Sequence, residues 1–581
     1  MREYEIIRNG ESNYFIVTSQ FGDVAEHYAA SELQKYLYKS TGVFVPYFSD
    51  RCPKRKKEIL VGFSARDCGE NPEKYDIGEE GYVIKTLGED ILIAGKTPRG
   101  TLYGVYAFLE RFLGFRAFTA TVERINRVDT LILPETEITD KPFFEYRDVY
   151  TRDAWNPDFS VKRRLNSTLA PISHERGGNF KFFNCHHSFF DLVPPKYYLQ
   201  EHPEYYSFTP GNPEPRQLCL SNPGVFAAAR EQLRTWIREN PQCRVFSVAQ
   251  NDWEGYCRCE ACARRDAEEG GPAGSIIDFV NRLSDDIAEE YPDVLLHTFA
   301  YMYSTKAPRH IRPRKNVIVR LCSFGCPRGR SFCESAEATE SRGSGESRAF
   351  LENLRNWSAI TDRLYIWDYA VDFRNYLIPF FPFRQIKENF RTFKQYGVRG
   401  MLQEGNFSYG GDVCMGELRT YLLSLLCWNP DADIQTAAGE FFDAVFGKAA
   451  PYMKEYVRLF AEAQDGADMT IYDYADAAYI TDALLRKTEE LFDAAEKAEN
   501  DPEILKRLRR ERLSLEFMQT ARIEDDGERA RKTDIFASHV KEAGLTEIME
   551  RVELGLSFEF MKRSRYARER SDYYCLYYIV Q

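Results

Sequence analysis

The chain has 581 residues, of which 29% are charged and 44% hydrophobic, and its formal net charge is −12. It is too long for one hydrophobic core, so its length predicts three or four domains. The composition is that of a soluble globular protein, and the acidic balance argues against nucleic acid as a partner. No apolar run approaches the roughly 18 residues that span a bilayer, so no membrane partner is expected either.

The N-terminal segment reads MREYEIIRNG and contains no apolar stretch of the kind that a secretory signal needs. The 14 cysteines are too sparse in so long a chain to form a disulfide scaffold. We therefore expect mostly reduced thiols and a cytoplasmic protein. Aromatic residues make up 14% of the chain, and such side chains serve both as stacking surfaces for sugars and as core filling.

Residues 1–137 alternate strand and helix patterns, which predicts a small α/β domain. A helix is predicted over 24–39, where apolar residues share one face. A second helix follows the glycine-punctuated turn 95–104 and ends near Gly114. The predicted strands cover 4–7, 14–17, 58–61, 81–84 and 91–94.

Residues 138–430 alternate strands and helices at the spacing of a (β/α)8 TIM-like barrel. Because only seven strands are evident, we expect a missing eighth in 166–172 or 216–220. A helix is predicted over 275–290. The predicted barrel strands cover 143–150, 180–187, 245–251, 294–302, 317–324, 364–371 and 398–403.

Strand patterns stop after Pro430, which predicts a C-terminal α-helical domain over 431–581. The fold class is therefore α/β, with a TIM-like barrel between the small α/β domain and the helical domain. The predicted C-terminal helices cover 434–446, 452–463, 482–498, 502–523 and 534–543.

Polar and aromatic side chains cluster at the carboxyl ends of the predicted barrel strands. In a barrel these ends meet at one mouth, where catalytic groups usually lie. Any single one of these residues could equally be a strand cap or a core residue. Together they predict one site. The residues are Arg147, Tyr150, Asn184, Cys185, His186, His187, Asn251, Asp252, Trp253, Tyr301, Tyr303, Trp367, Asp368, Tyr369, Gln403, Glu404 and Asn406.

The carboxylates in this set favour glycoside hydrolysis, which needs a proton donor and a second group that stabilises an oxocarbenium-like centre. We predict Asp252 and Glu404 as the catalytic pair, with Asp368 in reserve. Alternatively, either carboxylate only binds a sugar hydroxyl or a nearby arginine. The predicted substrate-binding residues are Arg147, His186, His187, Asn251, Trp253, Tyr301, Trp367, Tyr369 and Asn406.

Three cysteines follow Asp252 in C-x-C-x-x-C spacing, namely Cys257, Cys259 and Cys262. Three such thiols can wrap a tetrahedral zinc if a fourth ligand comes from elsewhere. Candidates for that ligand are Cys322, Cys326 and Cys333. The alternative is a buried thiol cluster that only stiffens the loop. We expect no cofactor for catalysis itself, because thiolate-rich metal sites are usually closed.

Several motifs carry a family resemblance over about residues 140–430. They are GGNFKFFNCHHSFFDLVPPKYYLQEHPEYYSF, RQLCLSNPGV, FSVAQNDWEGYCRCEACARRDAEEGGPAGSIIDFVNRL, EEYPDVLLHTFAYMYSTKAP and LYIWDYAVDF. This series resembles the domain-of-unknown-function 4838 (DUF4838) family, which is similar to glycoside hydrolase family 163. The resemblance implies a barrel and a retaining β-N-acetylglucosaminidase-like activity on N-acetylglucosamine-containing glycans.

The N-terminal segments AASELQKYLYKSTG and GKTPRGTLYGVYAFLERFLGFRAFT carry a second resemblance. They are similar to the small βα domain of family 20 hexosaminidases and family 67 glucuronidases, which implies a scaffold role for residues 1–137. Two other functions stay open. An α-glucuronidase-like or other barrel glycosidase would use Arg147 or the histidines to bind a uronate. A carbohydrate-binding protein without turnover would need neither carboxylate.

Overall fold

The computed structural model describes residues 2–209, 214–338 and 343–563. Its N-terminal part contains a six-stranded sheet in the order β10-β5-β6-β4-β2-β3, with two small two-stranded sheets beside it. All five predicted strands and both predicted helices of this part are confirmed. The elements are β1 (Glu3–Ile7), β2 (Phe15–Thr18), α1 (Val24–Thr41), β3 (Tyr47–Ser49), β4 (Glu58–Val61), β5 (Tyr82–Leu87), β6 (Asp90–Gly95), α2 (Pro98–Leu113), β7 (Arg116–Ala117), β8 (Glu123–Arg124), β9 (Leu131–Pro134) and β10 (Glu137–Asp140).

Glycines at the turn into α2 let the helix pack directly on the sheet. A Cβ atom added to Gly95 would lie 2.3 Å from the carbonyl carbon of Gly100, so no larger residue fits at this crossing. Thr97 caps the helix by accepting a hydrogen bond from the Gly100 amide, and the helix ends at Gly114, whose φ is 63°. These features explain the glycine punctuation in the sequence.

The centre of the molecule is a seven-stranded parallel sheet in the order β11-β17-β16-β15-β14-β13-β12. The first strand therefore pairs with the last, and the sheet curls back toward its own start. All seven predicted strands are confirmed. They are β11 (Tyr146–Tyr150), β12 (Phe182–Phe183), β13 (Val245–Ser247), β14 (Leu295–Ala300), β15 (Val317–Cys322), β16 (Leu364–Tyr369) and β17 (Gly400–Glu404).

The gap between β11 and β12 contains no eighth strand, although the structure describes both predicted segments in full. Asn166 bridges the gap instead. Its amide donates to the Arg147 carbonyl at 3.2 Å, and its carbonyl accepts from the Phe180 amide at 2.8 Å. In 216–220, Leu218 makes only an isolated antiparallel bridge with Tyr206. The prediction of an eighth strand was wrong for both segments, and a complete barrel stays a prediction.

Helices lie between the strands. Helix α8 is amphipathic and buries Ile276, Val280, Leu283 and Ile287, as the predicted helix over 275–290 requires. The helices are α3 (Pro157–Lys162), α4 (Phe189–Leu192), α5 (Pro195–Tyr198), α6 (Pro223–Glu239), α7 (Glu260–Glu269), α8 (Ala273–Ile287), α9 (Phe332–Glu337), α10 (Ser344–Ser358), α11 (Phe383–Gln395) and α12 (Gly416–Trp428).

From residue 431 to residue 563 the described chain contains helices and no strand. Their buried residues, such as Phe442, Phe492 and Val540, belong to the same hydrophobic cluster as Phe246 of β13. Residues 564–581 of the predicted helical domain lie outside the described residues. The helices are α13 (Ile434–Phe446), α14 (Ala450–Gln464), α15 (Asp482–Ala498), α16 (Pro502–Ala521), α17 (Asp526–Glu542) and α18 (Leu554–Lys562).

In the described ranges, none of the helices combines the length and the apolar character that crossing a membrane requires.

Candidate active site

A cavity of about 350 Å³ opens at the carboxyl edge of the seven-stranded sheet. Every strand of the sheet supplies a lining residue at its carboxyl end or in the loop that follows. The loop between α14 and α15, which contains Tyr472, and the segment between α17 and α18 complete the wall. The lining residues are Tyr150, His186, His187, Asp252, Phe299, Tyr301, Met302, Cys322, Phe324, Trp367, Tyr369, Phe373, Glu404, Phe407, Tyr472, Glu550 and Arg551.

Glu404 ends β17 and lies in register between Tyr150 of β11 and Tyr369 of β16. The indole Nε1 of Trp367 donates a hydrogen bond to Glu404 Oε2 at 2.7 Å. Burial and the nearby Glu550 carboxylate raise the pKa of Glu404 to about 8, against the opposing effects of Trp367 and Arg551. Glu404 is therefore largely protonated at neutral pH and can donate a proton.

Asp252 lies in the loop after β13, where the backbone has already left strand geometry. The side chain of Gln217 holds this loop on both sides. Its Nε2 donates to the carbonyls of Asn251 at 3.0 Å and Trp253 at 2.7 Å, and its Oε1 accepts from the Asn251 amide at 2.9 Å. The backbone on either side of Asp252 is thus fixed, while its carboxylate faces the cavity.

His187 lies beside Asp252 on the cavity wall, with 3.6 Å between His187 Nε2 and Asp252 Oδ1. His187 Nδ1 lies 2.5 Å from the carbonyl of Gln250, which can only accept, so Nδ1 carries a hydrogen. Burial lowers the pKa of His187, although Asp252 opposes this shift, and burial lowers the pKa of His186 to about 4. Both rings are therefore neutral at pH 7.

Tyr301 completes the surroundings of Asp252. Burial, together with the Asp252 carboxylate, raises the pKa of the Tyr301 hydroxyl, which stays protonated as a hydrogen-bond donor. The next residue, Met302, also lines the cavity and has a φ of 50°, which is strained for a residue with a long side chain. Strain of this kind is typical of functional sites.

The sequence did not point to Glu550 and Arg551, which lie between α17 and α18 in a short turn closed by a bridge between Met549 and Val552. The Glu550 amide donates to the carbonyl of Phe373 at 3.2 Å. Arg551 Nε lies 3.8 Å from Glu550 Oε1. Burial raises the pKa of Glu550 to about 7, with Arg551 opposing. The only feature of the sequence that could have indicated Glu550 and Arg551 is that they are charged and lie in a short non-helical segment between two helices.

Asp368, the predicted reserve carboxylate, does not line the cavity that Asp252 and Glu404 share. Trp367 and Tyr369 line the cavity, and strand alternation turns the residue between them to the other face. There Asp368 is 1% exposed and accepts hydrogen bonds from Arg328 Nη1 at 2.6 Å and Gln403 Nε2 at 3.2 Å. Asp368 thus forms an ion pair with the buried Arg328.

Arg147, which was predicted to bind substrate, does not line this cavity. Its side chain is fully buried and pairs with Glu80 of the N-terminal part. Burial raises the pKa of Glu80, but Arg99 and Arg147 outweigh it and bring that pKa down to about 2. Arg147 therefore joins the N-terminal part to the central sheet.

Three further predicted binding residues are not part of the cavity wall. Asn251 Nδ2 donates to the carbonyl of Arg216 at 2.9 Å, and Asn406 Oδ1 accepts from the amide of Ser408 at 2.9 Å. Both side chains are thus hydrogen-bonded to backbone groups. Trp253 meets Gln217 through its carbonyl, and its ring does not line the cavity. The predicted binding residues that do line it are His186, His187, Tyr301, Trp367 and Tyr369.

The three predicted metal ligands lie together, and a fourth cysteine joins them. The Sγ atoms of Cys219, Cys257, Cys259 and Cys262 all lie within 4.8 Å of one another. The fourth thiol of this cluster is Cys219, and none of the three candidates Cys322, Cys326 and Cys333 belongs to it. Cys322 lines the cavity, Cys326 belongs to the core, and Cys333 Sγ lies 3.7 Å from Thr392 Oγ1.

Comparison with known families agrees with both resemblances found in the sequence. A family model described as "Domain of unknown function (DUF4838)" matches residues 117–458. A second model, described as "Glycosyl hydrolase family 67 N-terminus", matches residues 9–108. No curated protein is significantly similar to the chain.

Comparison with solved structures identifies the fold. The chain is similar to a family GH115 4-O-methyl-α-glucuronidase with specificity for decorated arabinogalactans. The TM-score is 0.58 at 11% identity, over 97% of this chain and 78% of that one. The protein CpGH84D aligns with a TM-score of 0.45 at 10% identity, over 97% of this chain and 91% of that one, too weak a likeness to support an assignment. The first likeness shows a fold shared with a glycoside hydrolase.

Proposed function

We propose that this chain, which belongs to the DUF4838 family, is a glycoside hydrolase that uses Glu404 and Asp252 as its catalytic pair. Two carboxyl groups that face one aromatic-lined cavity at the carboxyl edge of a parallel sheet support this function best. Hydrolysis of a glycosidic bond needs such a pair on the two sides of the anomeric carbon.

Glu404 is the proton donor in this proposal. A leaving-group oxygen must be protonated as its bond to the anomeric carbon breaks, and Glu404 holds its proton at neutral pH because burial and Glu550 raise its pKa. The Trp367 indole donates to Glu404 Oε2, which requires a lone pair there and so favours the proton on Oε1. Trp367 thus orients the acid.

Asp252 stabilises the positive charge that develops on the sugar ring. It does so either as the nucleophile or by orienting the acetamido group of the substrate in a substrate-assisted reaction. Its backbone is held on both sides through the Gln217 side chain, so it is preorganised for either role. The rings of Trp367, Tyr369 and Phe407 line the same cavity and offer faces on which a pyranose can stack.

The resemblance to family 163 favours an N-acetyl-β-glucosaminide as the substrate. One observation favours a second candidate, a uronide: Arg551 brings a guanidinium to the cavity wall, and its side chain is 52% exposed. Arginine binds carboxylates through two parallel hydrogen bonds. An α-glucuronidase-like activity would use Arg551 in the role that the sequence suggested for Arg147.

A panel of aryl glycosides separates these functions. The purified chain should hydrolyse 4-nitrophenyl N-acetyl-β-glucosaminide and leave the corresponding α-glucuronide intact. Turnover of the glucuronide alone, abolished by Arg551→Gln, would assign the second function. Binding of the sugars by calorimetry without release of nitrophenol would contradict a hydrolase and leave a carbohydrate-binding protein.

A further inference from the structure

We propose that Cys219, Cys257, Cys259 and Cys262 hold one structural zinc ion. Cys257 lies in the loop that leads from Asp252 into α7, Cys259 is the N-cap of α7, Cys262 lies in its first turn, and Cys219 lies just before α6. Their four Sγ atoms all lie within 4.8 Å of one another. A cluster of four thiols is a complete ligand set for a tetrahedral zinc site.

The distances between the sulfur atoms fit a metal site and not a disulfide. Cys219 Sγ lies 3.7 Å from Cys259 Sγ and 4.0 Å from Cys262 Sγ. Tetrahedral zinc with Zn–S bonds of about 2.3 Å separates its sulfur ligands by about 3.8 Å. A disulfide would need about 2.05 Å. Both separations from Cys219 are thus close to those between two ligands of one zinc ion.

The surroundings of the cluster supply the polar hydrogens that metal-bound thiolates accept. The backbone amide of Phe208 donates to Cys257 Sγ at 3.4 Å. The hydroxyl oxygen of Ser221 lies 3.2 Å from Cys262 Sγ and 3.5 Å from Cys259 Sγ. Such contacts orient the ligands and stabilise their negative charge.

The site is structural because its four ligands leave no position for a substrate or a reactive water. Cys219, Cys257 and Cys262 are buried at 7%, 6% and 2% exposure. None of these four residues lines the cavity that contains Glu404. Soft thiolate ligands favour zinc over magnesium, calcium or manganese.

The zinc joins the two segments that position Asp252. Cys219 lies two residues after Gln217, whose side chain bonds the backbone of Asn251 and Trp253. Cys257 lies five residues after Asp252. Metal binding therefore holds the Gln217 segment against the loop that carries the catalytic aspartate, and Cys219 acts as a positioning residue.

Elemental analysis of the full chain, purified with a reductant and without chelators, tests the site directly. We expect about one zinc per chain in the wild type and its loss in Cys219→Ser. The control Cys333→Ser, which removes an exposed thiol outside the cluster, should keep the metal. Because the wild-type measurement needs no variant, a failure of Cys219→Ser to fold does not affect it.

A second measurement concerns the joined segments. Removal of zinc with a chelator should speed hydrogen exchange at the amide of Asn251, and added zinc should restore the slow rate. Zinc-free wild-type protein, with all four thiols open to an alkylating reagent in the folded state, would overturn the proposal. Iron in place of zinc, or disulfides within the cluster, would overturn it equally.

Discussion

The indole nitrogen of Trp367 donates a hydrogen bond of 2.7 Å to Glu404, at the end of the neighbouring strand. This bond stabilises the ionised form of Glu404, while burial and Glu550 stabilise the protonated form and prevail. Glu404 thus stays protonated at neutral pH within hydrogen-bonding reach of an aromatic side chain that also lines the cavity.

The activity should depend on the protonation of Glu404. An acid must carry its proton, so kcat/KM should fall as the pH rises through the pKa of Glu404, at about 8. In Glu550→Gln a nearby negative charge is lost, which lowers the pKa of Glu404. The alkaline limb of the pH profile should therefore move to lower pH. The control Glu553→Gln changes an exposed carboxylate outside the cavity and should leave the limb in place. A limb unmoved by Glu550→Gln would contradict the proposed electrostatics.

Loss of the second carboxylate should reduce turnover without unfolding the protein. We expect Asp252→Asn to lower kcat by about 10²–10⁴-fold. KM and the melting temperature should change little, because the Gln217 side chain holds the loop through the backbone carbonyls of Asn251 and Trp253 and not through the Asp252 carboxylate. A variant that retains more than about a tenth of the wild-type kcat, well short of that loss, would show that Asp252 has no catalytic role.

Asp368→Asn provides the matched control, since Asp368 lies on the same sheet but off the cavity. Its carboxylate pairs with Arg328, and both side chains are almost fully buried. Breaking a buried pair typically costs about 3–5 kcal/mol, so the free energy of unfolding should fall by up to that amount. The kcat of the folded variant should stay near the wild-type value. A large loss of kcat with unchanged stability would return Asp368 to the catalytic candidates.

The pairing of Glu80 with Arg99 and Arg147 should appear in the pH dependence of stability. The pKa of Glu80 falls from 4.5 to about 2 on folding, so the pairing contributes above pH 4.5 and its contribution is lost as the pH falls toward 2. At pH 7 this shift corresponds to at most about 3 kcal/mol. Urea unfolding of wild type and Glu80→Gln should differ at pH 7 and converge in acid. An equal difference at all pH values would exclude this linkage.

Strand positions could be predicted because buried parallel strands are short apolar runs, and all seven central strands confirm this. The site was predicted less completely. Alternation places Trp367 and Asp368 on opposite faces, but the sequence alone does not indicate which face borders the cavity. Gly405, directly after Glu404, packs so closely against β11 and its following loop that an added Cβ would lie 2.6 Å from Thr151 Cγ2.

Glu550 and Cys219 were missed for a different reason. Each reaches its partners through tertiary contacts that no local pattern encodes. Glu550 is positioned by a backbone hydrogen bond to Phe373, 177 positions earlier in the chain. Cys219 lies 38 positions before the nearest of its three partner cysteines, Cys257. Periodicity detects elements, whereas side chains brought together by the fold need coordinates.

The most direct test of Glu404 as the acid compares leaving groups. The 2,4-dinitrophenolate of a 2,4-dinitrophenyl glycoside leaves without protonation. A poorer leaving group, such as a second sugar, must be protonated by the acid. We predict that Glu404→Gln loses about 10²–10⁴-fold in kcat/KM on the sugar leaving group and little on the dinitrophenyl glycoside. An equal loss on both substrates would show that Glu404 does not donate the proton.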